Sequence, residues 1–162
     1  MLLNLKKILN QKFKDAKKIA VLGVGSDLRA DDAAGILIAE QLKKEISNSR
    51  VKVFLGATAP ENLTGEIIRF KPTHLLILDS ADISAKPGTI EIIDVDQVRG
   101  ISFSTHQMPF KVLVDYILNY IKCSIFIIGI QPKSLKFGGS VSKEVLKSVK
   151  QVSSAIIKAV GA

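Results

Sequence analysis

The chain has 162 residues, 47% of them hydrophobic and 23% charged, with a net charge of +8. That length and apolar content suit one domain with a core of its own and exclude a disordered polyelectrolyte. The longest apolar runs, at 75–78 and 125–130, fall far short of the roughly 18–20 residues of a membrane-spanning helix.

Residues 1–14 place Leu2, Leu5, Ile8, Leu9 and Phe13 at helical spacing, with Lys6, Lys7, Asn10 and Lys14 on the other side. This predicts an amphipathic helix with a basic outer face, docked on the domain. Residues 18–24 are short, aliphatic and ended by Gly23 and Gly25, a buried strand. A helix is expected over 31–47, a second strand over 51–55, and a short helix over 61–70 opened by Pro60. Residues 73–78 read as a third strand ended by Asp79. A turn at Pro87-Gly88 leads into a fourth strand over 89–95. Pro109 suits the first turn of a helix reaching about residue 121, because its missing N–H is not needed there. A fifth strand at 124–130 and a closing helix at 141–160 complete the chain. Alternating strands and helices predict a single α/β domain, with a largely parallel five-stranded sheet and helices on both faces. The fourth strand follows the third too closely for a crossover helix, so it is expected to run antiparallel.

Of the 23 basic residues 19 are lysines, gathered mainly toward the two ends of the chain. They read first as solvated helix faces and second as a steering field for an acidic partner protein. With only four arginines and no aromatic platform among the lysines, no nucleic-acid partner is expected. The one cysteine, Cys123, forms no intrachain disulfide and no zinc pattern, and a secretory leader is absent, so a cytoplasmic setting is expected.

Gly23-Val24-Gly25 between a strand and a helix invites a dinucleotide reading. The third glycine position of that fingerprint is Leu28, and the second strand ends in Leu55-Gly56 without the ribose-binding acid. The acids Asp31 and Asp32 would also repel a pyrophosphate at the helix start. The nucleotide reading fails.

Loops after parallel strands share one rim, where chemistry collects. The polar residues expected there are Asp31 and Asp32, then Asp79 and Asp82, then Thr105-His106. Asp31 reads most simply as the N-cap of its helix. His74, ahead of the third strand, belongs to the opposite rim, and Cys123 reads as a core residue. Ser80 and Ser104 have no evident base partner, so no nucleophile constellation forms. Two carboxylates and an imidazole converging on one rim suit a divalent ion, with coordination positions left open. Gly138-Gly139 precedes the last helix as a loop able to flex over the cleft or simply to turn.

Several ordered segments carry a resemblance. They are Gly23-Val24-Gly25 with Asp31-Asp32-Ala33-Ala34-Gly35; Ala59-Pro60-Glu61-Asn62; Leu76-Ile77-Leu78-Asp79-Ser80-Ala81-Asp82; Thr105-His106-Gln107-Met108-Pro109; and Gly129-Ile130-Gln131-Pro132. In this order the sequence resembles the maturation endopeptidases of nickel–iron hydrogenases, from about residue 18 to the closing helix. The resemblance implies removal of a C-terminal extension from the hydrogenase large-subunit precursor after nickel insertion. It implies that the nickel-recognising positions are Asp32, Asp79 and His106, that the nickel is carried by the substrate protein, and that the resting enzyme is metal-free. Residues 1–17 lie outside these motifs and 18–160 form the protease-like domain. Two positions depart from the family pattern: Ser26 stands where asparagine is usual, and Leu55 stands where some members carry an acid suspected of a part in cleavage. The second departure keeps an alternative open, a nickel-checkpoint or chaperone module that docks on the precursor without cutting.

Overall fold

The computed structural model describes residues 2–97, 102–103 and 109–161. Uninterrupted aliphatic strands are the ones covered on both faces, and β1 (Ile19–Val24) is buried at all six positions. It pairs in parallel with β2 (Val51–Ala57) on one side and β3 (His74–Asp82) on the other. β3 in turn pairs in parallel with β6 (Ser124–Ile130). The outer strand β4 (Ile90–Asp94) runs antiparallel to β6, as its short connection requires. The sheet order is β2-β1-β3-β6-β4. A sixth strand absent from the expectation, β5 (Ser102–Phe103), pairs antiparallel with Asp82 and Ala81. Two residues are too few to show any periodicity in a sequence.

Because successive strand residues face opposite ways, the sheet feeds two cores. Val21, Leu76, Leu78 and Ile128 pack with α1 (Leu2–Lys12), α2 (Ala34–Glu45) and α5 (Lys143–Val160), through Leu5, Leu9, Ile38, Leu42, Val152 and Ile156. Ala20, Leu22, Leu75, Ile77 and Ile127 face the other way, against Ile67 of α3 (Thr64–Phe70) and Leu113 and Ile117 of α4 (Phe110–Leu118). The N-terminal helix α1 is thus part of the core, lying against α5. The outward lysines Lys7, Lys143, Lys147 and Lys150 are exposed, which is the solvated-face arrangement. Among the described residues no helix is long and apolar enough to cross a membrane.

Four expected boundaries move. The third strand does not stop before Asp79 but runs to Asp82, because Asp79 and Ser80 pair across to Gly129 and Ile130 of β6. The expected helices at 31–47 and 61–70 each begin as a 3-10 turn, at Ala30–Ala33 and Pro60–Leu63, and become α-helical only at Ala34 and Thr64. Pro109 is the N-cap of α4 with an extended ψ of 140°, not a residue of its first turn.

One close approach sets the position of the site. A Cβ on Gly35 would lie 2.2 Å from the Leu78 carbonyl oxygen and 2.4 Å from that of Val24. Only glycine lets the start of α2 press onto the adjacent ends of β1 and β3.

Candidate functional site

The ends of β1 and β3 meet at the rim beneath the start of α2. Gly25, at φ 136°, turns the chain out of β1, and a Cβ there would lie 2.0 Å from the Asp32 carbonyl oxygen. The 3-10 turn Ala30–Ala33 then carries Asp31 and Asp32, both fully buried. With about three residues per turn, neighbouring side chains point roughly 120° apart. The two acids therefore serve different places.

Asp32 faces the rim. Its Oδ2 accepts the Ser26 N–H at 3.1 Å and its Oδ1 accepts the Ser80 hydroxyl at 3.0 Å. Asp79, 1% exposed, accepts the Ser80 N–H on Oδ1 at 2.8 Å. Ser80 thus gives its hydroxyl to one carboxylate and its amide to the other, joining the two into a pair. Carboxylates out of water are costly without donors or a cation. Each has a donor here, and two joined acids at one rim form an acceptor set for a cation. Among the described residues no third His, Cys, Asp or Glu completes a metal-holding cluster. His106, and with it Ser104 and Thr105, lies outside the described residues.

Asp31 faces the opposite way, and the N-cap expected for it is not there. Neither the 3-10 turn nor α2 has a side-chain cap. Its carboxylate instead accepts the backbone N–H groups of Lys133 at 2.8 Å, Ser134 at 3.2 Å and Ser142 at 2.6 Å, and the Ser142 hydroxyl at 2.9 Å. The same Ser142 hydroxyl receives the Val145 N–H and caps α5. The loop between β6 and α5 is therefore fastened to the turn after β1. The Gly138 N–H donates to the Leu28 carbonyl at 2.8 Å, so the loop holding Gly138-Gly139 is tied to its neighbour. Residue separations of 102–111 leave no local trace of this clamp in the sequence.

The remaining candidates separate cleanly. Asp82 is exposed and accepts the Ser84 N–H at 3.1 Å, closing a turn. Gln131 braces the segment after β3 by accepting the Ile83 N–H at 2.8 Å. Ser80 does have a carboxylate partner: its buried hydroxyl donates to Asp32. Leu55, paired with Gly23 at the rim end of β2, is 38% exposed. His74 opens β3 at the opposite rim, where burial pushes its imidazole down and Asp15 partly offsets that.

Cys123 sits just before β6, also away from the rim, and burial pushes its thiol up to about 12. At pH 8 that leaves roughly one thiolate in ten thousand. Alkylation of the native protein by iodoacetamide at pH 8 is expected to be far slower than that of the urea-unfolded chain. Equal rates would contradict the burial.

Comparison with known proteins bears on this arrangement. A family model described as hydrogenase maturation protease matches residues 36–159. The hydrogenase 3 maturation protease of Escherichia coli K12 is 36% identical over 133 residues, covering 82% of this chain and 84% of its own. The crystal structure of a nickel–iron hydrogenase maturation protease from Thermococcus kodakarensis superposes with a TM-score of 0.89 at 28% identity, covering 96% of this chain and 99% of that one. The solution structure of an Escherichia coli endopeptidase superposes at 0.74 with 34% identity, covering 85% and 87%.

Proposed function

The chain belongs to the hydrogenase maturation protease family, and from that premise we propose that it removes the C-terminal extension of a hydrogenase large-subunit precursor once nickel is in place. Family membership makes it a hydrolase, an endopeptidase. The observation that carries the finer reading is the buried Asp32 and Asp79 pair at the strand ends, joined through Ser80.

In this reading Asp32, Asp79 and His106 complete the coordination of nickel that the precursor brings with it. The nickel belongs to the substrate, and the resting enzyme carries none of its own. Binding at the rim places the nearby scissile peptide over the cleft, and the ion polarises its carbonyl or a water. The protein's own residues supply the position: Gly35 seats the turn, Ser26 and Ser80 orient Asp32, and β6 holds Asp79 in line. In this reading the enzyme acts in the cytoplasm.

The test incubates the purified protein with its precursor, with and without nickel loaded, and reads the precursor by intact mass. Loss of the extension only from the nickel-loaded form is the expected result. Leu55, an apolar side chain at the rim where some relatives carry an acid, favours a second reading, docking without cleavage. Stable binding with no change in mass would establish that reading and overturn the first.

A further inference from the structure

Helices that only face water usually mix both signs along the exposed side, with an acid three or four residues from a lysine. The outer side of α5 does not. Lys143, Lys147, Lys150 and Lys158 are all exposed, and at 3.6 residues per turn they fall within about 80° of one another around the helix. Together they form a row about 22 Å long. The one acid in the helix, Glu144, is engaged by Lys133 at 3.0 Å. The neighbouring helix α1 has no acid and adds the exposed Lys7. Among the described residues none of these five lysines lies in an ion pair.

Like charges three and four residues apart repel, so the row costs α5 stability rather than adding to it. Its complement is an anionic partner. The row also begins at a particular place. Ser142, the N-cap of α5, donates its N–H to Asp31 at 2.6 Å, so Lys143 follows a residue fastened to the turn that carries Asp32. A body seated at the rim can lie along the row from that end.

The kind of partner follows from what accompanies the charge. A membrane-surface helix sinks its apolar side among acyl chains. The apolar sides of α1 and α5 are instead committed to the core, through Leu5, Leu9, Val145, Val152 and Ile156. Nucleic acid is read with arginine and with aromatic rings, and α5 has neither. A protein surface is left, and Leu146 fits it. This aliphatic side chain, 41% exposed, sits next to Lys147 and one turn from Lys143 and Lys150, an apolar contact inside a charged border. We propose that this face docks an acidic surface of the precursor, with the lysines steering it and Leu146 as the apolar contact, so that the precursor's nickel arrives at the Asp32 and Asp79 rim. The inference rests on the reading of the chain as a protein that engages such a precursor.

The test follows association of the nickel-loaded precursor by stopped flow across about 0.05–0.5 M salt, and cleavage by intact mass. Steered association is fast at low salt and slows steeply as salt rises. Lys143→Gln, Lys147→Gln and Lys150→Gln in one chain are expected to cut the low-salt on-rate about tenfold or more and to flatten its salt dependence. The single-turnover rate at saturation should stay within about twofold, and the melting temperature should not fall, since a repulsion is relieved. Removing the same charge elsewhere, by Lys43→Gln, Lys44→Gln and Lys122→Gln at exposed positions, should change the on-rate far less. Equal slowing by both triple variants, or by neither, overturns the surface even if cleavage proceeds normally. So does row-dependent binding of duplex DNA or phosphatidylserine vesicles with no row dependence for the precursor. Row-dependent, salt-sensitive association with no cleavage by any form, wild type included, supports the surface and removes the protease reading instead.

Discussion

Asp32→Ala is expected to abolish nickel-dependent removal of the precursor's extension, with a loss on the order of a hundredfold or more. Merely removing the group that orients a metal-binding side chain already costs about 10–100-fold, and here the side chain itself is lost. Ser80→Ala supplies the graded comparison. It deletes the hydroxyl that holds Asp32 at 3.0 Å but leaves the carboxylate in place. Its cleavage rate should fall roughly tenfold, for about 1 kcal/mol of stability, the usual worth of one hydrogen bond. The measurement is single-turnover cleavage of nickel-loaded precursor, followed by mass. A rate for Asp32→Ala within a few-fold of wild type would remove Asp32 from the site.

Asp31→Ala is expected to behave in the opposite way. The change leaves three backbone N–H groups and one hydroxyl without their acceptor, around a position that is fully buried. Each stranded donor costs about 1–3 kcal/mol, less where water can enter at the part-buried loop, so the total is placed at about 2–4 kcal/mol. For a chain of this size that lowers the melting temperature by roughly 5–15 °C. Any activity should survive at temperatures where the variant is folded. Thermal denaturation of Asp31→Ala and Asp32→Ala side by side decides the matter. If Asp32→Ala is the less stable of the two, the clamp is assigned to the wrong residue.

This pair also marks how far residue order alone reaches. Both aspartates stand next to one another before an apolar helical pattern, and either could cap, coordinate or brace. The expected rim held Asp31, Asp32, Asp79, Asp82 and His106 alike, and only the family resemblance ranks Asp32 above Asp31. In the structure Asp32 and Asp79 lie beside one another, joined through Ser80. A cap is the simplest role for Asp31 by sequence, because an acid at a helix start is locally sufficient for one. Its true partners lie on a loop more than a hundred residues later, and no spacing rule connects them. Ser80 was set aside for want of a partner, although Asp32 supplies one from another strand connection. Glu61 stands in one of the segments that carry the resemblance, but its buried Oε2, unpaired among the described residues, exists as such only once the surrounding chain is packed.

Element type and order were legible because they rest on periodicities of 2 and 3.6 residues, which are properties of contiguous sequence. The five principal strands, the antiparallel sense of β4 and the helices on both faces all follow from such local patterns and from the length of each connection. Helix starts were less legible, since 3-10 and α turns differ by one residue in hydrogen bonding and share their side-chain preferences. By itself, then, the sequence determined an α/β sheet with acids at one rim. The division of labour between Asp31 and Asp32, the Ser80 bridge and the unpaired oxygen of Glu61 were decided only by the tertiary structure. Each depends on which distant donor arrives within about 3 Å of a buried acceptor, and that distance is set by packing.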